Sequence, residues 1–129
     1  MTQHPRPRIH AALRYKDAHR ALDWLGQAFG FQKQAVDEGP NGSIAHAEMR
    51  LGSEPLLLDS GPKDPRIWGD LSQYVAVHVD DPDAHYVRAT RAGADIVKPL
   101  ETTSWGSRGY VARDFEGFIW NFSTYRPAT

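Results

Sequence analysis

The chain contains no cysteine, which excludes disulfide bridges, thiolate metal centres and cysteine nucleophiles and makes a reducing compartment its natural setting. Neither sign of charge prevails. The 15 Lys and Arg residues face 16 Asp and Glu, a net charge of −1, so no electrostatic footprint for nucleic acid or an anionic membrane exists. No stretch approaches the ~18 apolar residues of a membrane span, and Met1 to Arg8 is polar, without the apolar centre of a signal peptide. The expectation is a soluble cytoplasmic protein with no nucleic-acid or membrane partner. Two catalytic signatures are also missing. Ser104 and Ser107 are not framed by a Gly-x-Ser-x-Gly elbow, and Gly106-Ser-Arg-Gly109 forms no dinucleotide or phosphate-loop fingerprint.

What is present is a repeat. His10-Ala-Ala-Leu-Arg-Tyr-Lys-Asp17 and Tyr74-Val-Ala-Val-His-Val-Asp-Asp81 are both strand-like runs that end in a helix cap. His10 and Tyr74, like Asp17 and Asp81, stand 64 residues apart, and Gly30 and Gly93 stand 63 apart. After the first cap, Ala18, Ala21, Leu22, Leu25 and Phe29 fall at helical spacing; after the second, Pro82 opens a helix over residues 83–92. Aspartate accepts hydrogen bonds from the free N–H groups of a first turn, and glycine takes the left-handed conformation that ends a helix. Strands are expected at residues 32–36, 43–51 and 55–59, and again at 95–98, 109–113 and 118–125. This predicts an α+β chain of two βαβββ modules, one domain in all: module one at about residues 8–59, a Gly- and Pro-rich connector at 60–72, and module two at 73–125.

On these two strand-to-helix starts, and on the run Arg113-Asp-Phe-Glu-Gly-Phe-Ile-Trp-Asn-Phe122, the chain resembles the vicinal oxygen chelate superfamily. That superfamily includes glyoxalase I, extradiol dioxygenases, methylmalonyl-CoA epimerase and the fosfomycin- and bleomycin-resistance proteins. Residues 114–117 resemble the family's Asp-Pro-Asp/Glu-Gly turn, with Phe115 where proline is usual. The resemblance implies curved sheets, a cavity enclosed by paired modules, and a homodimer. It also implies metal-ligand positions on the first and last strand of each module, which here carry His10, Tyr74 and Asn121; the repeat offset places the fourth at Leu57, or at Leu58 or Asp59 if the register slips. A neutral phenol and an amide are poor ligands for a divalent ion. No metal or other cofactor is therefore expected, and no catalytic residue is assigned. The alternative is a divalent metal held by His10 and Glu48, with Glu48 as general base of a glyoxalase-type lyase, isomerase or dioxygenase. His46 and Glu48 would share a strand face with Arg50, opposite Ala47, Met49 and Leu51.

Aromatic residues direct the ligand reading. Trp24 and Trp120 are placed in the core, whereas Trp68-Gly69 and Trp105-Gly106 are placed in loops, where an indole serves as a platform for a planar ligand or as a lid or dimer contact. Arg108 and Tyr110 would add a charged and a hydroxyl contact near Trp105. The expected ligand-binding set is Trp68, Tyr74, Trp105, Arg108, Tyr110 and Asn121, joined by His10 and His46. The function that follows resembles the bleomycin-resistance branch: metal-free sequestration or carriage of an aromatic natural product, a binder rather than an enzyme. A binder of a cationic drug should be acidic, so near neutrality favours a less charged ligand, such as a peptide antibiotic with a flat chromophore. A third reading, an interaction protein whose cavity is filled by its own side chains, would show no open pocket.

Overall fold

The computed structural model describes residues 9–69 and 73–126. Among the described residues, eight strands and three α-helices follow one another as β1 (Ala11–Tyr15), α1 (Ala18–Phe29), β2 (Gln32–Glu38), β3 (Ile44–Leu51), β4 (Glu54–Ser60), α2 (Pro65–Trp68), β5 (Val75–His78), α3 (Pro82–Arg91), β6 (Asp95–Thr102), β7 (Arg108–Arg113) and β8 (Ile119–Ser123), with a 3-10 turn at Pro40–Gly42. Both βαβββ modules are present. They form two open four-stranded mixed sheets, ordered β1-β4-β3-β2 and β5-β8-β7-β6, each with one parallel pair, β1 with β4 and β5 with β8.

Both expected caps form. Asp17 accepts from the Arg20 amide and Asp81 from the Ala84 amide, each at 3.1 Å. Gly30 closes α1 at φ 87°, a left-handed conformation that costs a residue with Cβ about 1 kcal/mol or more. α3 begins at Pro82, one residue before the expected start, because proline itself fills the first helical position.

The chain divides into two compact units: the residues up to Gly26 with Gly30–Ile67, and Gln27–Phe29 with the residues from Trp68 onward. In the first unit Tyr15, Leu22, Leu25, Met49, Leu56 and Leu58 are buried. Alternation along β3 and β4 sends Ala47, Met49, Leu56 and Leu58 into this core and leaves His46, Glu48 and Leu57 on the other face. In the second unit the core is aromatic: Trp120, Phe122, Tyr110 and Phe29 are all at most 2% exposed. Phe29 packs on Phe122 at a centroid distance of 4.6 Å and on Trp120 at 5.3 Å.

The register confirms the repeat. Ala12 pairs with Leu57 on the first sheet and Ala76 with Asn121 on the second, so Leu57 and Asn121 hold equivalent places 64 residues apart. Three expectations need correction. Trp24 is half-buried rather than core, because it lies beside the buried stripe of α1 rather than on it. Trp68 ends a one-turn helix instead of sitting in a loop, and its side chain lies outside the described residues. β6 extends to Thr102, four residues past its expected end at 98, because two register irregularities carry the pairing onward.

Candidate functional site

The open face of the second sheet is a hollow of about 410 Å³. Its floor is set by strand alternation: Gly109 and Val111 on β7, and Asn121 and Ser123 on β8, point away from the aromatic core, as does Ala76 on β5. Three rings stand at its rim. Trp105 is 75% exposed, Tyr74 61% and Tyr125 59%. Lys98 and Glu101 of β6, with Thr103 and Ser107 of the β6–β7 loop, supply the polar wall. The loop is held by its own hydroxyls: Ser107 N–H donates to Thr103 Oγ1 at 3.1 Å, and Thr103 N–H to the Ser107 carbonyl at 2.8 Å.

Gly109 is required by close approach rather than by its φ angle. A Cβ at this position would overlap the Phe122 carbonyl oxygen and the Ser123 side chain of β8. The residue thus lets β7 and β8 meet directly beneath the hollow.

Of the residues expected to bind a ligand, Tyr74, Trp105, Tyr110 and Asn121 line the hollow. Arg108 does not, and the Tyr110 ring turns away from it. The Tyr110 ring is 2% exposed and lies on the core side of β7, where its hydroxyl meets His85 Nδ1 while His85 Nε2 donates to the Phe29 carbonyl at 3.2 Å. Burial holds the His85 imidazole below its ordinary pKa and the Tyr110 phenol well above its own, with Tyr86 adding to the latter. Arg108 reaches toward α3, where Nη2 and Nε contact Asp83 at 2.8 and 3.0 Å and Nη1 donates to Thr102 at 3.1 Å. The Asp83 carboxyl is held below its usual range chiefly by this hydrogen-bonded pair. The phase of β7 sets both orientations, since Arg108 and Tyr110 alternate with Gly109 and Val111, which face the hollow. Tyr125, which was missed, has a readable signal, since it continues the alternation Asn121, Ser123 beyond the strand end.

His10, His46 and Glu48 belong to the first unit. His10 precedes β1, and Glu48 faces Arg50 with 3.7 Å between Oε1 and Nη2. Glu48 lies opposite Leu57 in the register. Among the described residues no group of three or more His, Asp or Glu side chains is placed to hold a metal ion.

The turn between β7 and β8 is organised by one carboxylate. Asp114 is 4% exposed and accepts from the Glu116 and Phe118 amides through Oδ1, both at 3.0 Å, and from Trp120 Nε1 through Oδ2 at 3.1 Å. It thus pins the turn to the buried indole of β8. Residues 9–122 match the model of the Glyoxalase/Bleomycin resistance protein/Dioxygenase superfamily.

The chain belongs to this superfamily. Among solved structures it is similar to TioX from Micromonospora sp. ML1, with 34% identity, a TM-score of 0.77, and coverage of 92% of this chain and 98% of that one. It shares its fold with the fosfomycin resistance protein FosX from Listeria monocytogenes, solved with Mn(II) and sulfate, at 14% identity, a TM-score of 0.70, and coverage of 92% and 91%. An uncharacterised protein of Mycobacterium bovis is 32% identical over 123 residues, which cover 89% of this chain and 81% of that protein. The superfamily's glyoxalase-like, vicinal oxygen chelate architecture is therefore the frame for the hollow described above.

Proposed function

We propose that this superfamily member is a metal-free, cytoplasmic, homodimeric protein that sequesters or carries a planar aromatic natural product or antibiotic on the open face of its second sheet. The observation that carries this reading is the rim: Trp105, Tyr74 and Tyr125 are all more than half exposed around one hollow of about 410 Å³. Large rings left in water around a concavity gain by covering a ligand, through buried area plus about 0.5–1.5 kcal/mol for each aromatic pair.

The last-strand positions of the two modules support binding over metal chemistry. Leu57 and Asn121 occupy equivalent last-strand positions; one has no donor atom and the other offers a weakly ligating amide. At the first-strand positions, His10 offers an imidazole and Tyr74 a neutral phenol, a poor ligand for a divalent ion. Two open four-stranded sheets leave edges that a symmetric partner would cover. Titrating the purified protein with flat-chromophore peptide antibiotics, followed by tryptophan fluorescence, tests the reading. Saturable quenching is expected; no quenching by any planar aromatic would refute it.

A further inference from the structure

The polar wall of the hollow is built by two departures from regular pairing in β6. From Asp95 opposite Arg113 and Ile96 opposite Ala112, an unbroken antiparallel register would set Val97 against Val111; instead Lys98 stands there. From Lys98 the regular continuation would set Leu100 against Gly109; instead Glu101 stands there. Each irregularity replaces an apolar residue by a charged one on the face that forms the hollow. Extra residues of this kind re-aim side chains and concentrate beside binding sites.

The register then fixes what each charge looks across. Lys98 lies in one row with Val111, Asn121 and Ala76, and Glu101 in the next with Gly109, Ser123 and His78. Among the described residues neither side-chain charge has a partner: Arg108, Arg113 and Arg126 of the same unit each face a carboxylate, whereas the Lys98 and Glu101 side chains have no ion-pair or hydrogen-bond partner there, including one another. Two residues along a strand separate the rows by roughly 7 Å, about the span of one six-membered ring with substituents at opposite ends.

Resting on the aromatic-binding reading above, we infer that Lys98 and Glu101 select the ligand class: a planar aromatic bearing an anionic group at one end, met by Lys98 and the Asn121 amide, and a hydroxyl or amino donor at the other, met by Glu101. A second anionic group would face Glu101 and be rejected, so monoacids are preferred over diacids.

Calorimetric titration of the full chain with para-hydroxybenzoate, its methyl ester and benzoate tests this. Wild type should bind the hydroxy acid at least about fivefold more tightly than either the ester or benzoate. Lys98→Met should erase the preference over the ester, Lys98→Arg should keep it, and Glu101→Gln should erase the preference over benzoate; both side chains are exposed, so each variant should fold. Equal affinities in wild type, or preferences that survive Lys98→Met and Glu101→Gln, would overturn the inference while ester binding that still depends on Trp105 left the aromatic reading intact. Failure of all three compounds to bind, together with no quenching by larger planar aromatics, would remove that reading and this inference with it.

Discussion

Replacing Asp114 by alanine should be among the most damaging single changes in the chain. The carboxylate is 4% exposed and satisfies three donors: two turn amides at 3.0 Å and Trp120 Nε1 at 3.1 Å. Removing it leaves the indole N–H, on a ring that is 0% exposed, without that acceptor. A buried donor stripped of its partner costs about 1–3 kcal/mol, and the two turn amides, nearer to solvent, add less, so a total of roughly 3–4 kcal/mol is expected. Asp114→Asn separates the contributions. Its remaining oxygen can still accept from the turn amides, but its NH2 group would face the Trp120 N–H, donor against donor. It should lose about half as much. Urea unfolding of both variants, with near-ultraviolet circular dichroism reporting on Trp120, measures this. A loss below about 1 kcal/mol for Asp114→Ala would refute the argument that this side chain ties the final turn to the core.

Further expectations follow from the same unit. Gly109→Ala should lower stability by about 1–3 kcal/mol, because its Cβ would overlap β8; a neutral result in thermal unfolding would show that the strands can part. His85 has a folded-state pKa depressed mainly by burial, so the unfolded chain takes up a proton that the folded chain resists. Stability from this group is complete above the ordinary value near 6.5 and is lost as pH falls below it, and Tm should decline from about pH 7 to 5. His85→Gln should flatten that decline, and an unchanged slope would contradict the assignment. Elemental analysis should find no stoichiometric divalent metal, and tightly held Zn, Ni, Mn or Fe with His10 among its ligands would overturn the metal-free reading.

The architecture was legible because its signals are local and occur twice. An aspartate cap, a helical apolar stripe and a stop glycine can be read without knowing any long-range contact, and the offset of 64 residues between Ala12 and Ala76 and between Leu57 and Asn121 persists in the strand register. The site was legible in part. Tyr74, Trp105, Tyr110 and Asn121 line one hollow, but the Arg108 side chain and the Tyr110 ring take the helix-facing side of β7. Which face a strand residue takes depends on pairing phase, and composition around a loop does not carry that information. Lys98 and Glu101 were hidden for a related reason: unbroken alternation places Val97 and Pro99 in their stead, and only the register irregularities reveal the exchange.

The central claim is that exposed rings around the hollow bind a planar aromatic ligand, and the most direct test pairs Trp105→Ala with Trp120→Ala. Trp105 is 75% exposed and Trp120 0%. The account predicts that Trp105→Ala weakens binding of a flat-chromophore antibiotic, measured by calorimetry, while shifting Tm little. Trp120→Ala should lose about 3–5 kcal/mol of stability through the cavity it leaves. Unfolding by Trp105→Ala, or affinity unchanged by its removal, would contradict the claim.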